Sequence, residues 1–167
     1  QLARIRGLRA ATTRIVQAAG RTFLEAERFD RHGEHGRSAI VSLEALNGHL
    51  LGLASHDWNV QATALEKRGL INAATLEAIT RLWWFGRLIA NGDMHLGNLS
   101  FVPANGTLTL APAYDMLPMA YAPLPGGEVP PRNWTFEMPL PAEQRAWHDS
   151  ARAAIAFWLK AAADARI

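Results

Sequence analysis

The 167-residue sequence predicts an α+β fold, mostly helical, with two β-hairpins. Three observations carry that expectation. Thr75 to Ala90 is apolar almost all round (Leu76, Ile79, Leu82, Trp83, Trp84, Phe85, Leu88, Ile89), and a helix without a wet face is normally buried. Asn105-Gly106 separates two short apolar runs, Leu99 to Val102 and Thr107 to Leu110, which is the strongest local hairpin signal. Finally, Pro141 to Arg166 has Trp147, Ala151, Ile155, Trp158, Leu159 and Ala162 at helical spacing, as an amphipathic helix should. Apolar residues make up 49% and charged residues 19%, enough to bury one sizeable core.

In chain order, Gln1 to Ala10 (Leu2, Ile5, Leu8) reads as the end of a helix. Thr12 to Ala18 and Arg21 to Asp30 read as strands joined at Ala19-Gly20, with Leu24 and Ala26 on one face and Phe23, Glu25, Glu27 and Phe29 on the other. Arg31 to Gly36 is a turn. Ser42 caps a helix running to Ala54, whose Leu43, Leu46, Leu50 and Leu53 share a face. Asp57-Trp58-Asn59 reads as a turn and Val60 to Arg68 as a shorter helix closed by Gly69. The buried helix then stops at Asn91-Gly92. Beyond Asp115, seven prolines and glycines between Pro118 and Pro131 mark a long loop, and Trp134 to Met138 reads as a short strand.

Composition excludes several classes. No run is long and apolar enough for a membrane span, and no charged-apolar-small pattern opens the chain. With no cysteine there is neither disulfide nor thiolate metal site, which fits a cytoplasmic protein. Seventeen basic against fifteen acidic residues is too small an excess to argue for nucleic acid.

The chemistry-bearing stretch is Asn91-Gly92-Asp93-Met94-His95-Leu96-Gly97-Asn98, followed past the hairpin by Tyr114-Asp115. Phosphoryl transfer of the kinase type needs one carboxylate to orient the attacking hydroxyl and take its proton. It also needs an amide and a second carboxylate to hold magnesium on the phosphates. Asp93 would be the base, and Asn98 and Asp115 the magnesium ligands. A hairpin returns the chain to its start, so Asp115 can lie beside Asn98, and two oxygen ligands suit magnesium. Along the second strand, the Glu27 carbonyl and Phe29 amide could meet an adenine edge and Asp30 a ribose hydroxyl; the plain alternative is an edge strand ending in a turn.

Blander roles compete elsewhere. His95 reads as a partly buried residue that hydrogen-bonds backbone and braces its loop. His32 and His35, without a third partner, read as solvated residues and not a metal site. Ser100 has no His–Asp arrangement beside it. Trp83 and Trp84 read as core, and Arg4, Arg6, Arg9, Arg14 and Arg21 as a solvated basic face.

Asn-Gly-Asp-Met-His-Leu-Gly-Asn at 91–98 and Leu-Ala-Pro-Ala-Tyr-Asp-Met-Leu at 110–117 resemble the catalytic and metal-binding segments of HipA-like serine/threonine kinases, the toxins of bacterial toxin–antitoxin pairs. Glu27-Arg28-Phe29-Asp30-Arg31 resembles that family's hinge. The three segments occur in the family's order, although Gly-Asp-x-His-x-x-Asn alone also resembles aminoglycoside and choline kinases. Ordinary protein kinases differ, with His-Arg before the Asp and Asp-Phe-Gly in place of Tyr-Asp-Met. The resemblance implies a protein-kinase-like fold. Residues 1–31 would be the remnant of a smaller β lobe and hinge, and residues 32–167 a helical larger lobe. It further implies ATP and Mg2+, a protein acceptor and a DNA-binding antitoxin as partner. The Gly-rich loop and phosphate-pairing lysine of a complete kinase would belong to an upstream segment, since the first lysine here is Lys67; the chain alone is then expected to be inactive. The alternatives are a small-molecule kinase and a non-catalytic regulator on a kinase fold.

Overall fold

In the computed structural model, which describes residues 8–164, helices and short antiparallel sheets surround one apolar cluster. Its elements are β1 (Thr13–Ala18), β2 (Arg21–Ala26), β3 (Arg31–His32), β4 (Gly36–Arg37), β5 (Val41–Ser42), α1 (Leu43–Leu46), α2 (Trp58–Lys67), α3 (Ala73–Leu88), β6 (Ser100–Ala104), β7 (Thr107–Leu110) and α4 (Gln144–Ala162). A mixed, helix-rich fold with hairpins at Ala19-Gly20 and Asn105-Gly106 is therefore observed, as the sequence predicts.

Helix α3 is the axis. Asn72 caps it by accepting from the Thr75 amide at 2.8 Å. Ile79, Leu82, Phe85 and Ile89 are buried among Leu43, Trp58, Leu65 and Phe101. Trp84 is buried and Trp83 half-buried, its ring 5.8 Å from Trp58. The helix ends at Leu88, two residues earlier than expected. Ala90, not Asn91 or Gly92, takes the left-handed conformation (φ 59°), and the Asn91 amide reaches back to the Gly86 carbonyl at 2.9 Å. That pattern satisfies orphan carbonyls at the helix end even without a glycine.

Several elements differ from expectation for identifiable reasons. Most of the expected first helix, with Leu2, Ile5, Arg4 and Arg6, lies outside the described residues. Leu8 to Ala10 are not helical: Ala10 bridges Ala113 in parallel, and Arg9 and Ala11 trade backbone hydrogen bonds with Ala113 at 2.7 and 2.9 Å. Strand β2 stops at Ala26 and not Asp30, because Arg28 to Arg31 form a turn closed by Arg31 N–H to Arg28 O, 3.2 Å. The 31–36 turn holds the small β3–β4 hairpin, where His32 Nε2 meets Ser38 Oγ at 2.6 Å.

Ser42 does cap its helix, accepting from Ala45 N at 3.1 Å, but α1 runs one turn before a π-helical stretch, Asn47–Leu51. There the Asn47 side chain pairs with both backbone groups of Leu53 (2.8 and 2.9 Å) and draws the chain out of the helix. Asp57 to Asn59 is not a free turn. Asp57 caps α2 through Asn59 N at 2.7 Å, and Trp58 is fully buried. Trp134 to Met138 forms no strand, because Trp134 is tied to the end of α3 and Phe136 and Met138 face solvent with no strand beside them.

On α4 the buried residues are Ala146, Ser150 and Ala154. Of the expected stripe, Trp158 packs on the core and donates to the Leu88 carbonyl at 3.1 Å, while Trp147 and Ala151 are half-buried. Ile155 and Leu159 are exposed. Small residues let α4 approach α3 closely enough for Ser150 Oγ to donate to the Arg81 carbonyl at 2.7 Å. The predicted end at Arg166 lies outside the described residues.

Candidate functional site

The segment leaving α3 is held by side-chain amides. Buried Asn91 accepts from the Asp93 backbone amide (3.0 Å) through Oδ1 and donates Nδ2 to the Asp115 carbonyl at 3.3 Å. Asn98, also buried, donates its Nδ2 to the Asp93 carbonyl at 2.8 Å. Two amides thus fasten the backbones around Asp93, Asn98 and Asp115 to one another, while the carboxylates of Asp93 and Asp115 are on exposed residues.

Tyr114 supplies the second tie. Its hydroxyl donates to the Gly97 carbonyl at 2.7 Å and meets Ser100 Oγ at 2.6 Å. Ser100 is therefore a brace for Tyr114. Side chains crowd two glycines here. A Cβ on Gly86 would collide with Met94 and Met116, and one on Gly97 would lie 2.8 Å from the His95 ring. The first glycine lets residues next to Asp93 and Asp115 pack into the same notch of α3. Asp115 has φ 54°, a left-handed backbone that is uncommon outside glycine.

His95 braces the loop as expected: Nδ1 accepts from the Gly97 amide at 3.0 Å and its carbonyl accepts from Trp58 Nε1 at 3.3 Å. It is exposed, not partly buried, because both bonds hold backbone at the loop's surface.

The expected hinge residues border a cavity of about 270 Å³, lined by Glu27, Arg28, Phe29, Asp30, Ile40 and Tyr114 among others. A second cavity, of about 590 Å³, adjoins it through the shared Ala11, Ala26 and Tyr114 and reaches Asp115 and Phe85. Phe29 lies 6.0 Å from the Tyr114 ring. The Asp30 carboxylate is engaged by Arg28 Nε and Nη2 (2.7 and 2.6 Å) and lies 3.5 Å from Arg31. Those hydrogen bonds from Arg28 hold its carboxyl below the usual aspartate range. Any ribose contact would have to share these oxygens.

Asp93 opens instead on a third cavity, of about 420 Å³, shared with Ala120, Arg132, Asn133 and Trp134. The structure thus unites Asp93, Asn98 and Asp115 through backbone ties and joins Glu27, Phe29 and Asp30 to Tyr114. Sequence reasoning missed Asn91 and Tyr114. Their signal was a polar residue directly after a dry helix and a tyrosine directly before the second aspartate.

For magnesium, the donor chemistry fits. Asn98 Oδ1 and the Asp115 carboxylate are hard oxygens with no hydrogen-bond partner among the described residues, and two protein ligands are what magnesium-phosphate sites ordinarily use. Among the described residues, no group of three His, Cys, Asp or Glu side chains could hold a metal.

Comparison with known proteins shows the family. Residues 1–166 match the family described as the HipA-like C-terminal domain. The whole chain is 38% identical to Toxin YjjJ of Escherichia coli K12 and spans 38% of that protein's length. Among solved structures, that of the Shewanella oneidensis MR-1 toxin–antitoxin system HipA, HipB and its operator DNA aligns with a TM-score of 0.59 at 22% identity. It covers 72% of this chain and 33% of that one. The Helicobacter pylori proinflammatory kinase CtkA aligns at a TM-score of 0.49 and 20% identity, over 66% of this chain and 39% of that one.

Proposed function

The chain belongs to the HipA-like C-terminal domain family, and from that premise we propose that it carries the catalytic lobe of an ATP-dependent protein serine/threonine kinase of the cytoplasm. The observation that carries the reading is the Asn91 amide, bonded to the Asp93 N–H and the Asp115 carbonyl. It couples a base segment to a metal-ligand segment, as in-line phosphoryl transfer requires.

In this reading the acceptor hydroxyl oxygen bonds to the γ-phosphorus, the bond from that phosphorus to the β–γ bridging oxygen breaks, and ADP leaves with the electron pair. The hydroxyl proton passes to the Asp93 carboxylate. Bound magnesium would neutralise charge on the phosphates. Asn98 Oδ1 and the Asp115 carboxylate are the groups on this chain that would hold it. Glu27 and Phe29 offer backbone groups to the adenine in the smaller cavity, and Asp30 fixes Arg28 at its border. Residues 1–31 would form the edge of a smaller lobe and 32–167 the larger lobe. Because the solved HipA structure holds HipB and operator DNA, a DNA-binding antitoxin is the partner of choice.

The test uses the whole gene product, because the chain spans 38% of its E. coli relative. Asp93→Asn should lower transfer roughly a hundred- to ten-thousand-fold and leave ATP affinity nearly unchanged. Asp115→Asn should weaken magnesium-dependent ATP binding as well as turnover. Full activity in a folded Asp93→Asn protein would reduce Asp93 to a turn residue and end the reading.

A further inference from the structure

We propose that the cavity beside Asp93 recognises an acidic group on the acceptor protein, and that Arg132 is the residue that selects it. This rests on Asp93 as the base and names what its acceptor must carry.

The wall of this cavity is anchored on both sides of Arg132. Upstream, the Ala120 amide donates to the Ala90 carbonyl at 3.0 Å. Downstream, Trp134 Nε1 donates to the Arg87 carbonyl at 2.9 Å, and the Arg87 guanidinium lies 5.1 Å from the Trp134 ring centre while pairing with Glu137 at 2.5 Å. The anchors are Arg87, on the last turn of α3, and Ala90, two residues beyond that helix and three before Asp93. The Pro/Gly-rich segment is thus fastened to the element that positions the proposed base.

Arg132 itself is exposed and has no hydrogen bond or ion pair among the described residues. It lines the same cavity as Asp93 without pairing with it. A cation left open beside a carboxylate favours a ligand that brings its own negative charge next to the reacting hydroxyl. The hydroxyl would meet Asp93, the flanking carboxylate would take the planar guanidinium fork, and Asn133 could supply a further amide. A basic acceptor would gain at Asp93 but be repelled at Arg132, so the site discriminates by sign.

The experiment uses the whole gene product and three serine octapeptides with glutamate, glutamine or lysine on both sides of the serine. Transfer should favour the glutamate peptide over the lysine peptide by roughly tenfold in kcat/KM, and Arg132→Glu should invert that order. Peptide binding without ATP is followed separately by tryptophan emission, with Trp134→Phe identifying the reporting ring. Equal transfer to all three peptides, or an unchanged order in a folded Arg132→Glu protein, overturns the proposal and leaves the kinase reading standing. If no peptide is phosphorylated yet the glutamate peptide binds in an Arg132-dependent way, the kinase reading falls and the acid-recognising cleft stands. Displacement of that peptide by a single-stranded oligonucleotide at lower concentration than by free glutamate peptide would make the ligand a nucleic acid and overturn the proposal.

Discussion

The two longer hairpins have nearly the same turn and opposite surroundings. β1–β2 turns at Ala19-Gly20 (φ 50° and 71°) and β6–β7 at Asn105-Gly106 (φ 50° and 79°), both with the positive dihedrals that match strand twist. On β6, Phe101 is fully buried and β5 adds a third strand. On β1–β2, Ile15, Phe23 and Leu24 are exposed by 51, 48 and 62%. Turn chemistry therefore makes a hairpin without deciding whether it becomes core. The buried hairpin leads directly into Tyr114 and Asp115. The exposed one contributes Thr13, Leu24 and Ala26 to the border of the cavity that reaches Asp115.

This contrast can be broken by mutation. Phe101→Ala should cost about 3–5 kcal/mol of stability, as a large aromatic lost from a packed core does. Leu24→Ala should stay within about 0.5 kcal/mol, as surface changes do. Paired thermal or denaturant unfolding of the two variants checks this, and equal losses would mean that the exposed hairpin is covered in the folded protein. Next in size is the tie between the two site segments. Asn91→Ala leaves the Asp93 amide and the Asp115 carbonyl without their partner and should cost about 1–3 kcal/mol. Transfer should fall further than stability explains, measured as turnover of the folded fraction. A loss of stability with unchanged turnover would show that Asn91 does not position the site.

The smallest effect lies at the end of the exposed hairpin. Asp30 has its carboxyl held low by hydrogen bonds from Arg28. The stability it contributes is present above the ordinary aspartate value, about 4, and is lost as pH falls through the depressed one. Thermal unfolding between neutral pH and pH of roughly 3 should therefore show a smaller acid loss in Asp30→Asn than in the unaltered protein. An identical acid loss in both would place the sensitivity elsewhere.

What was legible in the sequence follows the same division between local and distant causes. Asn105-Gly106, the Ser42 cap and the dry helix α3 are written in neighbouring residues, and they are present. Strand β5 was invisible because two residues carry no periodicity. The packed face of α4 was read only in part: Trp158 packs on the core as expected, but Ile155 and Leu159 are exposed and the closest approach to α3 is made by alanine and serine. The residues Asp93, Asn98 and Asp115 stood out by type and spacing. Asn91 did not, because its partner lies twenty-four residues away across the buried hairpin.

Gly86 has one more consequence. The notch it leaves in α3 is filled by the thioethers of Met94 and Met116, and Met119 lines the cavity of Asp93. In a chain with four methionines and no cysteine, three of the four sulfur atoms therefore surround the two aspartates. Peroxide converts a thioether to a polar, bulkier sulfoxide. At Met94 or Met116 the added oxygen would have to be accommodated beside α3, where both thioether ends crowd Gly86. Met138, exposed by 80%, would be oxidised first and away from the site. Oxidation of Met94 or Met116, which pack against the core beside the two aspartates, would disturb packing and chemistry together.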